Sequence, residues 1–432
     1  MREMKDSGIE WIGQIPKGWE LRRAKTLFTQ RNSKGNGIEV LLSPTQKYGV
    51  VPQSQLEGVV QVKEDTDLQM FKTVHKGDFV ISLRSFQGGF EYSLYEGVCS
   101  PAYQVFYPTS PICDTYYRYL FKSQSFISKM NNLTVGIREG KNIQYVDFAN
   151  SRIPVPPLAE QERIAVFLDA ECAEIDTVLE RTRASIEEYK KLKQAVITQA
   201  VTKGIRGDRP MKDSGIEWIG NIPAEWRKTQ LRHCAAIKSG ITLGKKYEKT
   251  DSLVERPYLR VANVQDGYVD LSVLTTIEVT QDEDLKYRLR AGDVLMTEGG
   301  DRDKLGRGCV WHGEIEPCLH QNHIFAVQTS KDTLLPEFLE YLTVSDVGRS
   351  YFDVTAIKTT NLACTSSSKV LAFTIPLPSV EEQAEIVEAL NTKCAGIDAL
   401  VAKKQQYLTE IENYKKSLIY EYVTGKKEVP PL

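Results

Sequence analysis

Apolar residues between about residues 158 and 203 recur at alternating steps of four and three, the spacing that a long helix presents to a partner helix. The positions of this seam are Leu168, Cys172, Ile175, Leu179, Thr182, Ile186, Tyr189, Val196 and Ala200, with Lys193 in the remaining slot. A second seam comprises Leu390, Cys394, Ile397, Val401, Leu408, Ile411, Leu418 and Tyr422, interrupted by Lys404 and Lys415. The pattern predicts two long helices that pack against each other.

Prolines stand just ahead of each seam, where they end the preceding strand and lead into a first helical turn. They are Pro154, Pro156 and Pro157 before the first seam, and Pro376 and Pro378 before the second. At a rise of 1.5 Å per residue, about 45 residues make a rod of roughly 65 to 70 Å. We expect the two rods to pack antiparallel and to act as a ruler with the rest of the chain at its ends.

Four apolar residues lie beside the first seam and widen its apolar face beyond what a two-stranded coil buries. They are Ile164, Val178, Leu192 and Ile197. The extra width indicates either a partner helix or packing against the globular parts of the same chain, and the sequence leaves both open.

The whole chain is organised by an internal repeat. The segment Met4–Pro16, MKDSGIEWIGQIP, returns as Met211–Pro223 with 12 of 13 positions identical, at an offset of 207. The segment Ile153–Asp176, at the start of the first predicted helix, returns as Ile375–Asp398 at an offset of 222. The chain therefore contains two copies of one order: a short box, a variable region and a long helix.

The two variable regions, 17–152 and 224–374, differ from each other in sequence, and the second is 15 residues longer within the repeat. A duplicated frame with two divergent inserts favours two independent recognition events over a purely structural duplication. Both regions contain a related strand motif, KGDFVI at 76–81 and AGDVLM at 291–296, each followed by a polar loop. We therefore expect the two regions to share a fold while their loops differ.

The repeat predicts an α+β protein with two α/β target-recognition domains, separated by two long antiparallel helices in a pseudo-twofold arrangement. The expected limits are 1–152 for the first recognition domain, 153–210 for a central helical spacer, 211–374 for the second recognition domain and 375–432 for a C-terminal helical spacer.

Charge restricts the interpretation. The 432 residues have a formal net charge of -2, unlike a simple basic DNA-binding domain. Residues 1–152 have a net charge of +4, from 19 Lys and Arg against 15 Asp and Glu, while residues 211–374 have -3, from 20 against 23. If the chain binds DNA, its basic loops must be local, and a partner must add positive charge.

The predicted location is the cytoplasm. No apolar run approaches the roughly 18 residues that a membrane span needs, and no secretory signal is recognisable at the N-terminus. The eight cysteines are spread along the chain without a C-x-x-C pair, which is typical of reduced thiols.

At this point the sequence resembles the specificity (S) subunit of type I restriction-modification systems over nearly its whole length. The resemblance lies in the D-S-G-I-E-W-I-G-x-I-P box at 6–16 and 213–223, in I-P-x-P-x-x-x-E-Q-x-x-I at 153–164 and 375–386, and in the repeated order of domain and helix. It implies that each variable region reads one half of a split double-stranded DNA target and that the helices set the gap between the halves.

The resemblance also implies partners. Two adenine-methyltransferase subunits would dock around this subunit, and two restriction and translocase subunits are a further option. S-adenosylmethionine, ATP and Mg²⁺ would belong to those partners, with no cofactor, metal or catalytic residue in this chain. Two domains on one face of a duplex would lie about one turn, roughly 10 bp, apart.

Candidate DNA-contacting residues are basic, amide and aromatic side chains on predicted loops, the types that reach phosphates and base edges. Ordinary solvated loop polarity is the alternative for each of them. In the first region they are Lys47, Tyr48, Arg84, Gln87, Arg138, Lys141 and Asn142. In the second region they are Lys245, Lys246, Arg260, Asn263, Arg302, Lys304, Arg307, Lys358 and Asn361.

Other chemistries have less support. Cys309, His312, Cys318, His320 and His323 lie close together, but their spacing lacks the paired knuckles of a zinc site, and a strand explains them more simply. The N-P-P-[FYW] motif of methyltransferases and a phosphate-binding P-loop are absent from the sequence. The main alternative function is a coiled-coil adaptor with two protein-binding domains, which strongly salt-dependent duplex binding would rule out.

Overall fold

The structure is a computed structural model that describes residues 2–35, 40–56, 68–82, 89–133, 143–248, 252–300, 305–358 and 363–430, with the backbone only at 133 and 358. The chain forms two compact units. Unit 1 comprises Met1–Arg183 and Gln406–Leu432, and unit 2 comprises Ala184–Gln405. Each unit thus contains one variable region and a part of each long helix.

Unit 1 is a mixture of short strands and helices. Its strands are β1 (Met4–Asp6), β2 (Gln14–Pro16), β3 (Glu20–Arg23), β4 (Phe28–Arg31), β5 (Leu42–Thr45), β6 (Gly49–Pro52), β7 (Lys72–Val74), β8 (Phe79–Ile81), β9 (Phe90–Tyr92), β10 (Gly97–Cys99), β11 (Gln104–Pro108) and β12 (Arg152–Val155). Its helices are α1 (Asp114–Lys122), α2 (Gln124–Leu133), α3 (Tyr145–Asn150) and the first part of α4 (Leu158–Lys203).

The centre of unit 1 is a four-stranded antiparallel sheet in the order β4-β11-β8-β9. Aromatic side chains of the sheet and of helices α1 and α3 meet in its core, where Phe106 packs on Phe148 with ring centroids 4.6 Å apart. The box forms the ribbon β1–β2, and the ribbon β3–β12 joins the two ends of the variable region. The region therefore begins and ends at one place, next to the start of α4.

Unit 2 repeats this plan with additions. Its strands are β13 (Met211–Asp213), β14 (Asn221–Pro223), β15 (Arg227–Gln230), β16 (Ala235–Ser239), β17 (Leu253–Leu259), β18 (Thr275–Thr280), β19 (Val294–Thr297), β20 (Gly299–Gly300), β21 (Gly308–Val310), β22 (Leu319–His320), β23 (Ile324–Thr329), β24 (Ile357–Lys358), β25 (Ala363–Cys364) and β26 (Thr374–Leu377). Its helices are α5 (Gln281–Tyr287), α6 (Pro336–Val344), α7 (Asp346–Thr355), α8 (Ser367–Ala372) and the first part of α9 (Val380–Val423).

The main sheet of unit 2, β16-β23-β19-β21, is also four-stranded and antiparallel. Its strand β19 begins at the fourth residue of the AGDVLM motif, just as β8 begins at the fourth residue of KGDFVI, so the prediction of a shared fold is confirmed. The ribbons β13–β14 and β15–β26 repeat the box and the joining ribbon. The hairpin β17–β18 is longer than the hairpin β5–β6, and helix α5 has no counterpart among the residues of unit 1 that the structure describes.

The two long helices have 46 and 44 residues, and their predicted seams are confirmed as buried or half-buried positions. In unit 1, the ring of Phe167 lies 4.5 Å from that of Tyr422, and Arg183 Nη2 lies 2.5 Å from Glu412 Oε1. Residue numbers on α4 rise as those on α9 fall, so the helices are antiparallel there. The predicted fold class is confirmed.

Two of the three lysines that interrupt the seams have acidic partners on the opposite helix. In unit 1, Lys415 Nζ lies 2.6 Å from Asp176 Oδ1. In unit 2, Lys193 Nζ lies 2.7 Å from Asp398 Oδ2, again with the antiparallel order. The two pairs are equivalent at the offset of 222, so the same interaction occurs once in each unit.

The apolar residues beside the first seam have different environments. Ile164 and Ile197 are buried, and Ile197 belongs to the same core cluster as Ile222 and Trp226 of unit 2. Leu192 is exposed and Val178 is half-buried. For Ile197, packing against the chain's own globular part is therefore the correct alternative, whereas Leu192 has a largely open face.

Two further features concern the whole chain. Within the part of the chain that the structure describes, no helix combines the length and apolarity needed to cross a membrane. The compact units divide α4 and α9 at their middles, whereas the domain limits expected from the sequence follow the repeat; those limits stay a prediction.

Burial along the seam, more than its ion pairs, should determine stability. Leu390 is buried in the core of unit 2, so Leu390→Ala should lower the free energy of unfolding by about 2 to 5 kcal/mol. Asp398 has a side chain that is 58% exposed, so Asp398→Asn should cost less than about 1 kcal/mol. Urea denaturation of both variants, followed by tryptophan fluorescence, measures the difference; equal losses would contradict this order.

Candidate nucleic-acid interface

Each variable region is fixed to the start of a long helix by a glutamine at an equivalent position of the repeat. Gln161, near the start of α4, accepts a hydrogen bond from the backbone N of Cys113 at 2.9 Å. Gln383, its counterpart on α9, accepts one from the backbone N of Leu335 at 2.8 Å. Both glutamines are buried, so the contact is part of the repeated core.

A tryptophan, a glutamate and an arginine form a second repeated contact, which we call the joint. In unit 1, Trp19 Nε1 donates to Glu160 Oε2 at 2.9 Å, and Arg2 Nη2 lies 2.6 Å from Glu160 Oε1. The guanidinium of Arg2 also lies over the Trp19 ring, 5.3 Å from its centroid. The joint connects the end of the box to the first turn of α4.

Unit 2 contains the same joint. Trp226 Nε1 donates to Glu382 Oε2 at 2.9 Å, Arg209 Nη1 lies 2.6 Å from Glu382 Oε1, and the guanidinium lies 5.1 Å from the Trp226 centroid. Neither joint was predicted from the sequence. The available indication was that a tryptophan follows each box by three residues, at the same offset of 207 as the box itself.

Half of the predicted DNA-contacting residues lie outside the described residues, and for one more only the backbone is described. Those outside are Arg84, Gln87, Arg138, Lys141, Asn142, Arg302, Lys304 and Asn361. Lys358 ends strand β24, which pairs with β25. The assignment of DNA contacts to these residues stays a prediction.

Lys47 and Tyr48 lie in the turn between β5 and β6. Thr45 Oγ1 accepts a hydrogen bond from Tyr48 N at 3.0 Å, and Gly49 follows with a φ of 72°, where a Cβ would come within 2.7 Å of a backbone oxygen of Tyr92. The Lys47 ammonium lies 4.9 Å from the centroid of the Tyr48 ring, which is 59% exposed. A cation beside an open aromatic face suits a phosphate or a nucleotide base.

Lys245 and Lys246 lie in the loop that follows β16. Lys245 forms an ion pair with Glu283 at the start of α5, and Tyr247 donates to the same carboxylate at 2.9 Å. Lys246 is exposed. Lys245 therefore has an acidic partner within the protein, and Lys246 is the more accessible of the two cations.

Asn263 has a structural role that the sequence analysis did not anticipate. It is only 4% exposed, and its Oδ1 accepts from the backbone N of Arg260 at 2.8 Å. Its Nδ2 donates to the backbone oxygens of Asp270 and Val273 at 2.8 and 2.9 Å. The assignment of Asn263 as a base-contacting residue is corrected: its amide is used to hold the loop between Val264 and Val273.

The other two arginines of unit 2 are less accessible than expected for loop residues. Arg260 is half-buried. Arg307 is also half-buried, with Nη1 3.9 Å from Asp266 Oδ2, a carboxylate that Arg349 approaches at the same distance. Both arginines could reach a nucleic acid only with part of the guanidinium.

The cysteines and histidines of 309–323 do not gather around a common point. Cys309 and Cys318 are buried in an apolar core, which raises the pKa of both thiols to about 12. Burial lowers the pKa of His320 to about 4, and its Nδ1 lies 3.1 Å from the carbonyl oxygen of Ile324. Among the residues that the structure describes, no group of three or more such ligands is placed to hold a metal ion.

A cleft of about 1100 Å³ in unit 2 lies between the helices α4 and α9 on one side and α6 and α7 on the other. Its lining includes the carboxylates of Asp266, Glu337 and Glu340. Burial, together with the neighbouring charges of Glu337 and Asp266, raises the pKa of Glu340 to about 7. The lining also includes the basic side chains Lys190, Lys191, Lys193 and Arg349, so the cleft carries charges of both signs.

Comparisons with known proteins agree with this arrangement. The family model of the type I restriction modification DNA specificity domain matches residues 16–188. The EcoKI specificity subunit of Escherichia coli is 26% identical over 329 residues, which cover 74% of this chain and 67% of that protein. The MjaVIII specificity subunit of Methanocaldococcus jannaschii is 28% identical over 306 residues, 68% of this chain and 67% of that protein.

The family model covers residues 16–188 and the two curated relatives are 26% and 28% identical, so the chain is similar to type I restriction-modification specificity subunits. The resemblance stated from the boxes and the repeat is therefore confirmed, and the adaptor alternative is not favoured. The residues matched by the family model end within α4, and the internal repeat gives the second half of the chain the same order of box, variable region and helix.

Solved structures show that the fold is shared. A chain from a type I R-M system, described for its complex assembly and conformational transition, has a TM-score of 0.70 at 17% identity, covering 96% of this chain and 99% of that one. The HsdS subunit from Thermoanaerobacter tengcongensis has a TM-score of 0.51 at 17% identity, covering 98% and 100%.

Two substitutions distinguish a residue that stabilises its loop from a residue that contacts DNA in unit 2. Asn263→Ala leaves buried partners without hydrogen bonds, so it should lower the free energy of unfolding by about 1 to 3 kcal/mol. Lys246→Ala should leave stability within about 0.5 kcal/mol. If Lys246 contacts a phosphate, its loss should also reduce the slope of log binding constant against log salt by about 0.9.

Thermal or urea unfolding and a salt titration of duplex binding, both on the assembled complex, measure these effects. A stable Asn263→Ala variant would contradict the structural role of the amide, and an unchanged salt slope for Lys246→Ala would remove that lysine from the interface.

Proposed function

We propose that this chain directs a type I restriction-modification complex to a split DNA target, with one half of the target read by each variable region. The observation that carries the proposal is the repeated frame with unlike inserts. The box, the joint, the glutamine contact and the helix start recur at equivalent positions of the two repeats. The regions between them differ in sequence and in the length of their hairpins.

The contacts that occur in both units also include helix α1 and its counterpart α6. Tyr119 donates to Asp169 Oδ1 at 2.6 Å, and Tyr341 donates to Asn391 Oδ1 at 2.6 Å. Each variable region is thus attached to its helix by matching side chains. A fixed attachment with a variable reading surface suits modular recognition, because loops can change without altering how the domain is held.

The proposed reading surfaces are the loops that the sequence analysis selected. Among the described residues, Lys47, Tyr48, Lys245 and Lys246 are exposed, with Lys245 paired to Glu283, and Arg260 and Arg307 are half-buried. The negative charge of the second region means that phosphate contacts must come from a few positions. A partner subunit with basic surfaces would supply the remaining attraction for DNA.

We further propose that this chain performs no chemistry itself. Two adenine-methyltransferase subunits would bind S-adenosylmethionine and transfer the methyl group, and two restriction subunits, where present, would use ATP and Mg²⁺. Since the proposed substrate is the host's own DNA and incoming foreign DNA, the complex would work in the cytoplasm.

An exchange of one variable region tests the proposal. Residues 17–152 are replaced by the matching region of a second specificity subunit, and the hybrid is co-expressed with the methyltransferase subunits. Sequencing of the host DNA for modified adenine should give a split motif in which one half is new and the other is that of the unaltered chain. Both halves changed, or neither, would contradict reading by separate regions.

A further inference from the structure

The joints are placed where three parts of the chain meet. Glu382 is the third residue of α9, and Trp226 stands between the box and strand β15, whose partner β26 leads into α9. Arg209 also donates from Nη2 to the carbonyl oxygen of Lys203 at 2.7 Å, at the end of α4. The joint of unit 2 therefore connects the recognition domain to the start of one long helix and to the end of the other.

The joint of unit 1 has the same surroundings. Glu160 is the third residue of α4, and the end of α9 packs on Trp19, since a Cβ on Gly425 would come within 2.9 Å of the Trp19 ring. Tyr116, from the helix α1, donates to the carbonyl oxygen of Val423 at 2.7 Å. Each recognition domain is thus fixed to a helix start through equivalent residues, and it also contacts a helix end, although through different residues in the two units.

The joints are built to resist movement. Both tryptophans are 1% exposed, and the side chains of Arg209 and Glu382 are 10% and 5% exposed. A buried carboxylate that separates from its arginine and its indole donor leaves charged groups unpaired, which is strongly unfavourable. Rotation of the domain about the helix start would require this separation.

We infer that Glu160 and Glu382 are positioning residues that restrict the gap between the two half-sites, an inference that rests on the proposed function. A gap altered by one base pair moves a half-site by about 3.4 Å and turns it by roughly 35° around the duplex axis. A domain that tilts at its helix start can follow that movement. A domain fixed by the joint cannot, and so it binds the altered target poorly.

Glu382→Gln is the principal variant. The amide keeps the shape of the side chain and an acceptor for Trp226, but it removes the charge that holds Arg209. Trp226→Phe is a second variant that removes only the indole donor and keeps an aromatic ring. The matched control is Glu385→Gln, because Glu385 lies three residues further along α9 and forms an exposed ion pair with Arg206, with no link to the box.

The split target is first identified from methylated host DNA. The complex with its methyltransferase subunits is then titrated with duplexes that carry this target. The duplexes have the natural gap or a gap that is one base pair longer or shorter. For Glu382→Gln and Trp226→Phe, the preference for the natural gap should fall by about tenfold, the size expected for a lost charge-assisted hydrogen bond. Glu385→Gln should keep the preference of the unaltered chain.

Two results would overturn the inference while leaving the proposed function intact. One is an unchanged preference in both variants. The other is weaker binding to all gaps by the same factor, which is what a purely structural loss gives. An unaltered complex that ignores the sequence of either half-site would instead overturn the proposed function, and the inference with it.

Discussion

The burial of the apolar seams along α4 and α9 is the interaction on which the rest of the structure depends. A single amphipathic helix of more than forty residues exposes its seam to water, and its stability comes from packing of that face. Each helix covers the seam of the other in antiparallel order, and each copy of the internal repeat contributes one of the two helices. Because the seams must stay in register, the lengths of the two helices are coupled.

Electrostatics place a second constraint on recognition. The chain has a slight negative charge, and Lys245 already pairs with Glu283. Such a chain has little of the general attraction to phosphates on which non-specific DNA binding depends. For the proposed function, affinity must therefore come from a few loop residues together with a partner that adds positive charge.

Much of the frame could be predicted from the sequence because its determinants are periodic or repeated. The seam, the two helices, the common fold of the variable regions and the family all follow from spacing and self-similarity. The ion pairs of Lys193 and Lys415 could not be predicted from spacing or self-similarity, since each joins residues more than 200 positions apart. The sequence places these lysines in the seam, and only the structure shows why a charge is tolerated there.

The candidate site was harder to predict for a related reason. An asparagine in a polar loop has the same sequence signature whether it contacts a base or, as Asn263 does, holds the backbone of its own loop. The joint residues were missed because a tryptophan near a box is ordinarily a core residue, and its carboxylate partner is 141 or 156 positions away. Side-chain partners across such distances are set by the fold, which the local pattern does not encode.

The central claim is that the helix pair sets the gap while the domains read the bases. The most direct test inserts one heptad into α4 after Arg183 and one into α9 after Gln405, so that both seams stay paired. Sequencing of modified adenine in cells that express this variant with its methyltransferase subunits should show the same two half-sites with a longer gap. An unchanged gap, or new half-sites, would contradict the claim.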